Sequence, residues 1–315
     1  MRNLLPIAIL ALAATPMMGQ APACPAVAID SAGMMKDIFR LADDSMRGRK
    51  VGSPENAKAR DFIAARFDAL GLERVAPGRI QPFTTTGRNG NAINGNNVVG
   101  TIKGTKSPEE YIVVSAHFDH IGVGRPTNGD SIFNGADDNA SGTAGLLALA
   151  KLFMSAKPMH TLVFVAFDAE ESGDVGSKAW VAAAPIALEK ILADVNMDMV
   201  GRNVKNQLFA AGPTKYPQLR SLVEETIACT TAITVTIGHD GPGAVAGNDD
   251  WTNQSDQGAF NAKKIPFVYF GEEDHPDYHR VGDSPDRLMP AFYAASVRAV
   301  ADFVRRLDAK PVPRP

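Results

Sequence analysis

Four stretches of this 315-residue chain are apolar almost without a break: residues 111–119 ("YIVVSAHFD"), 161–169 ("TLVFVAFDA"), 191–201 ("ILADVNMDMVG") and 265–271 ("IPFVYFG"). A strand that is apolar on both of its faces must be covered on both faces, which restricts the fold to a sheet between two helical layers. The helical reading of residues 140–154 ("ASGTAGLLALAKLFM") and a further short strand at 208–212 fit that plan. No internal repeat and no linker interrupts it. The expectation is a single α/β domain with a mostly parallel central sheet, its chemistry gathered at the carboxyl ends of the strands.

Two helices precede the sheet, over residues 31–46 and from Ser53 to a stop at Gly71. Residues 73–97, rich in Thr, Asn and Gly, read as turns and loop. Residues 1–23 open with Met-Arg-Asn and an apolar run, then small residues. They read as a secretory signal that leaves a domain of residues 24–315 in a secreted or periplasmic protein. No later run is long and apolar enough to span a bilayer. Net charge is −3 with no Lys/Arg block, which argues against nucleic acid as a partner. Cys24 and Cys229 could pair in an oxidising compartment, and the sequence leaves that open. It is silent on oligomeric state.

The strand ends are acidic. His117 and Asp119 lie two positions apart on one strand face, Glu170 and Glu171 stand side by side after the second strand, and Asp198 is flanked by methionines. Asp137 and Asp138 precede a helix, and His275, Asp277, His279 and Asp283 follow the last strand. Singly, each has a structural explanation; Asp137-Asp138, for one, suits a helix N-cap. Together they place many carboxylates where few cations follow in sequence, and buried carboxylates need partners. Divalent metal ions meet that need. Two histidines with several Asp/Glu suit zinc, and two ions sharing a carboxylate and a water are a device for hydrolysis.

The ordered set His-x-Asp, Asp-Asp-x-x-Ser-Gly, Glu-Glu, Asn-Met-Asp-Met and Tyr-His, running from His117 to His279, resembles the co-catalytic di-zinc peptidases that include secreted bacterial aminopeptidases and glutamate carboxypeptidase. The resemblance implies two zinc ions per chain. His117 and Asp198 would hold one and Glu171 and His279 the other, with Asp138 bridging them; Asp137 is its competitor in register. It further implies a cis peptide after the bridging aspartate, Glu170 as general base, Asp119 orienting His117, and Tyr278 steadying the oxyanion. Where relatives often carry His in the segment before the last strand, this chain has Gln257.

The implied activity is hydrolysis of N-terminal peptide bonds in peptide substrates by a metal-bridging water that Glu170 activates. Three alternatives remain in view. One is a carboxypeptidase or dipeptidase, for which Arg202 is the sequence candidate to grip a carboxylate. The second is a one-metal glutaminyl-cyclase-like transferase. The third is an inactive receptor-like module, which should have lost ligands; none is missing here.

Overall fold

The computed structural model describes residues 24, 26–87, 90–241 and 250–313. The strands are β1 (Ile80–Thr86), β2 (Ala92–Ile102), β3 (Ser107–His117), β4 (Gly122–Thr127), β5 (Asp130–Phe133), β6 (His160–Phe167), β7 (Ile191–Asp198), β8 (Gln207–Ala211), β9 (Thr234–Ile237) and β10 (Phe267–Gly271). The helices are α1 (Ser31–Leu41), α2 (Pro54–Leu70), α3 (Gly142–Ser155), α4 (Val175–Ala182), α5 (Arg220–Cys229), α6 (Gln257–Asn261) and α7 (Pro290–Ala309).

Eight strands form one sheet in the order β1-β2-β6-β3-β7-β10-β8-β9. Its centre, β6-β3-β7-β10, is parallel throughout. These are the four apolar stretches. Val114, Phe164 and Val195 bury one face in a large core with α1, α2, α3, α5 and α7. Val113, Val163 and Val165 bury the other in a smaller core with Trp180 of α4 and Phe260 of α6. The two cores account for why these strands are apolar on both sides, and the α/β architecture with helices on both faces is as expected.

Local signals set the helix ends. Ser53 caps α2, its hydroxyl accepting from the Asn56 N–H at 3.0 Å, and Gly71 ends the helix in the left-handed region at φ 77°.

Two expectations need correction. The first helix is shorter than 31–46: α1 stops at Leu41, and a 3-10 segment, Asp44–Arg49, brings Arg49 inward. Residues 73–97 are not loop, because β1 and β2 form an antiparallel hairpin there that joins the sheet through β6. The polar residues of β2 hid it, yet they are used. The Asn97 side chain accepts from the Asp168 N–H and donates to the Gly176 carbonyl, and the Asn96 N–H donates to the Asp168 carboxylate. Strand β9 was not anticipated.

Cys24 and Cys229 form a disulfide that ties the start of the described chain to the end of α5. The expected signal segment, residues 1–23, lies outside the described residues. Among those described, no helix is long and apolar enough to cross a membrane.

Candidate active site

Strands β3, β6, β7 and β10 point their carboxyl ends at one place. His117 is the last residue of β3, Asp198 the last of β7, Glu170 and Glu171 follow β6, and Tyr278 and His279 follow β10. The loop before α3 brings Asp138 among them. Its shape is held by the Asp283 carboxylate, which accepts the N–H groups of Asp137 and Asp138 at 2.9 and 3.0 Å. Gly135 at φ 59° lets the loop turn tightly, since a Cβ there would lie 2.3 Å from the Asp138 carbonyl oxygen and 2.5 Å from the His120 ring. The Asp138–Asn139 peptide is cis, as the resemblance implied. Arg49, fully buried, donates to the carbonyls of Leu41, Phe118, Asn134 and Gly135 and so ties the β3 end to this loop.

Asp138 sits at the middle of two donor groups. Its Oδ1 lies 3.3 Å from His117 Nε2, which is also 3.3 Å from Asp198 Oδ1. Its Oδ2 lies 3.0 Å from His279 Nε2, which is 3.2 Å from Glu171 Oε2. Adjacent ligands of a tetrahedral ion with bonds of roughly 2.0–2.1 Å stand about 3.3 Å apart, so both groups have the spacing of half-built coordination shells. No lysine or arginine among the described residues makes an ion pair with Asp138, Glu171 or Asp198. The residues present therefore fit two divalent cations, one on each side of Asp138.

Asp137, the register competitor, faces away. Its Oδ1 accepts the Gly201 N–H at 2.8 Å, and its Oδ2 is 3.3 Å from His275 Nε2. His275 Nδ1 accepts the Asp277 N–H at 3.2 Å, which leaves the ring proton on Nε2, pointed at Asp137. Asp137, His275 and buried Glu272 converge as a third group of possible metal donors, set apart from the two that share Asp138.

Glu170 belongs to neither donor group; its Oε2 stands 4.0 Å from His117 Nε2. Burial, then the charges of Asp198, Asp256 and Glu171, push its carboxyl well above the ordinary range against the pull of His117. Asp119 is placed less directly than expected. Its Oδ1 accepts the Glu170 N–H at 3.0 Å, while His117 Nδ1 is 3.6 Å away, too far for a hydrogen bond. It therefore holds the Glu170 backbone at least as firmly as the His117 ring. Tyr278 stacks on the His279 ring at 4.0 Å between centroids. Burial and the carboxylates of Asp138 and Asp198 raise its pKa, so the phenol stays a donor.

Two positions singled out in the sequence turn out to be structural, and a third residue joins the site. Gln257 is buried in the core, donating to the Trp251 carbonyl and accepting from Asn196. Arg202 is held by Asp277 at 2.6 Å. His120, overlooked in the sequence, is fully buried with Nδ1 2.6 Å from Glu171 Oε1 and 3.7 Å from Asp138 Oδ2. Its place directly after "HFD" was the available signal.

Two cavities meet at Glu170 and Tyr278. One is a small pocket of about 60 Å³ lined by Asp138, Asp198, Glu272, Asp274 and Trp251; the other is a cleft of about 970 Å³ running past Glu171 and His279 toward Lys50, Asn94 and Asn253.

Residues 97–304, from within β2 to within α7, match Peptidase family M28. The chain belongs to that family. A probable zinc metalloprotease of Pyrenophora tritici-repentis is 33% identical over 144 residues, covering 46% of this chain and 32% of the relative. The chain thus spans about a third of the length of the curated relatives it matches. Among solved structures, the zinc aminopeptidase BSAP of Bacillus subtilis superimposes with a TM-score of 0.74 at 16% identity, over 92% of this chain and 97% of that one. The Porphyromonas gingivalis glutaminyl cyclase gives 0.72 at 18% identity, over 88% and 98%. At such identities the likeness is one of fold, and this M28 chain shares its architecture with a peptidase and a cyclase alike.

Proposed function

We propose that the chain is a secreted or periplasmic aminopeptidase that uses two zinc ions. The observation that carries the reading is the Asp138 carboxylate, each of whose oxygens faces its own histidine and its own second carboxylate. One ion would be held by His117, Asp138 and Asp198, the other by Asp138, Glu171 and His279, with His120 bracing Glu171. Bound zinc would polarise a scissile carbonyl and acidify a water beside it.

The chain's own residues supply the rest. Glu170, outside both donor groups and beside His117, takes a proton from the attacking water and hands it to the departing amine. Tyr278 donates its phenol hydrogen to the oxygen on which charge develops. Asp119 holds the Glu170 backbone so that the carboxylate returns to one position after each transfer.

The small pocket supports the aminopeptidase polarity. Five acidic side chains line it, those of Asp138, Glu170, Asp198, Glu272 and Asp274, of which Glu272 is kept protonated by burial and by Asp137, and no lysine or arginine among the described residues does. That end suits a free α-ammonium and repels a carboxylate. Arg202, the sequence candidate for a carboxypeptidase, is occupied by Asp277. The disulfide between Cys24 and Cys229 supports export to an oxidising compartment.

A peptide panel with free and acetylated N-termini, assayed for released amino acids before and after chelation, tests this reading. Free peptides and aminoacyl-anilides should be cleaved from the amino end, acetylated ones at least about tenfold more slowly, and chelation should stop both. Release from the carboxyl end, or cyclisation of N-terminal glutamine without hydrolysis, would replace it.

A further inference from the structure

The cleft on the far side of the metal centre has its own charge. Among the described residues lining it, Lys50 is the one lysine or arginine, and the small pocket has none. It makes no ion pair with a described carboxylate, whereas its neighbour Arg49 is engaged with four carbonyls.

Its position is set by packing. The Lys50 stem lies across Gly122, where an added Cβ would come within 2.9 Å of Lys50 Cβ and 3.2 Å of its Cδ. The neighbouring Arg49 is locked in the interior, so the backbone that carries Lys50 is anchored. Asn94, Asn253 and Ser172 line the same cleft and can bond a peptide backbone, but they bring no charge.

The two cavities meet at Glu170 and Tyr278. Glu170, Glu171 and Asp174 also line the cleft, the last paired with Lys178 at 3.0 Å, so the difference between the two walls is Lys50, a cation the small pocket lacks. A short peptide in its zwitterionic form matches that pattern from end to end. We propose that Lys50 binds a substrate carboxylate on the leaving-group side of the scissile bond, making short peptides with a free C-terminus the favoured substrates. The inference rests on the aminopeptidase polarity given above. Lys50 is a specificity-determining residue in this account. It touches the part of the substrate that departs, and takes no part in proton transfer.

The source of the carboxylate is tested with three ligands: Ala-Gly, Ala-Gly-amide and Ala-Glu-amide. Hydrolysis of each by the zinc-loaded full chain is followed by KM and kcat. Calorimetric binding of the reduced-bond (methylene-amine) analogue of each is measured alongside. Ala-Gly should be favoured over Ala-Gly-amide by roughly five- to tenfold in KM and in binding, with kcat changing less. That preference should shrink as salt is raised, because the pair is exposed.

In Lys50→Met the ratio should collapse to near one, and Lys50→Arg should restore most of it. If Ala-Glu-amide matches Ala-Gly, a side-chain carboxylate serves as well and the restriction to free C-termini fails. If the wild-type chain does not discriminate, or if Lys50→Met keeps the full ratio, Lys50 does not read a carboxylate and the proposal is overturned. Absent hydrolysis with discriminating binding would remove the aminopeptidase reading and leave the carboxylate site standing, so the two failures are told apart.

Discussion

Replacing Glu170 with Gln should lower kcat by about 10²–10⁴ while leaving the metal content unchanged. The amide fills the same space but cannot accept a proton, and the factor corresponds to roughly 3–5 kcal/mol of transition-state stabilisation. Metal content should survive because neither donor group includes Glu170, whose nearest ring nitrogen is His117 Nε2 at 4.0 Å. Folding should survive too. The native carboxylate is buried against the like charges of Asp198, Asp256 and Glu171, and the substitution removes that repulsion. KM should move little if the side chain acts only on the proton. Steady-state kinetics and elemental analysis on the same preparation check both halves. Turnover near the wild-type value would remove Glu170 as the base.

Asp138→Asn should be the most damaging single change. The carboxylate is the one group common to both donor sets, with Oδ1 3.3 Å from His117 Nε2 and Oδ2 3.0 Å from His279 Nε2. An amide can offer one neutral oxygen, so at least one ion per chain should be lost and kcat should fall by about 10³ or more. Stability reports the same event independently. An ion that binds only the folded chain adds about 4 kcal/mol when present at a thousand times its dissociation constant. The wild-type melting temperature should therefore drop on chelation, and that of Asp138→Asn should drop much less. Asp137→Asn is the control, since its carboxylate serves the Gly201 N–H and His275 and should not affect occupancy. Full metal content in Asp138→Asn together with loss in Asp137→Asn would exchange the two roles.

The parallel centre of the fold was legible because β3, β6, β7 and β10 must be apolar on two faces. The site was legible for the same reason: acids and histidines at the ends of such strands stand out against their surroundings. What sequence could not show were contacts made by residues with ordinary local roles. The asparagines of β2 read as turn formers, yet Asn96 and Asn97 hold Asp168 two positions before Glu170. Arg49 and Lys50 stand next to each other in a Gly-containing stretch with no feature that marks either of them. A break in the first helix carries the former into the interior and the latter to the cleft. The preference for Asp138 over Asp137 came from the resemblance alone; which carboxylate the loop turns inward is a matter of backbone geometry.

The claim on which the rest depends is that two zinc ions flank one carboxylate. Diffraction at the zinc absorption edge, from crystals of the full chain purified without added metal, tests it most directly. Two anomalous peaks about 3.5–4 Å apart are expected. One should lie among His117, Asp138 and Asp198, the other among Asp138, Glu171 and His279. A single peak, or none at these residues, would contradict the account.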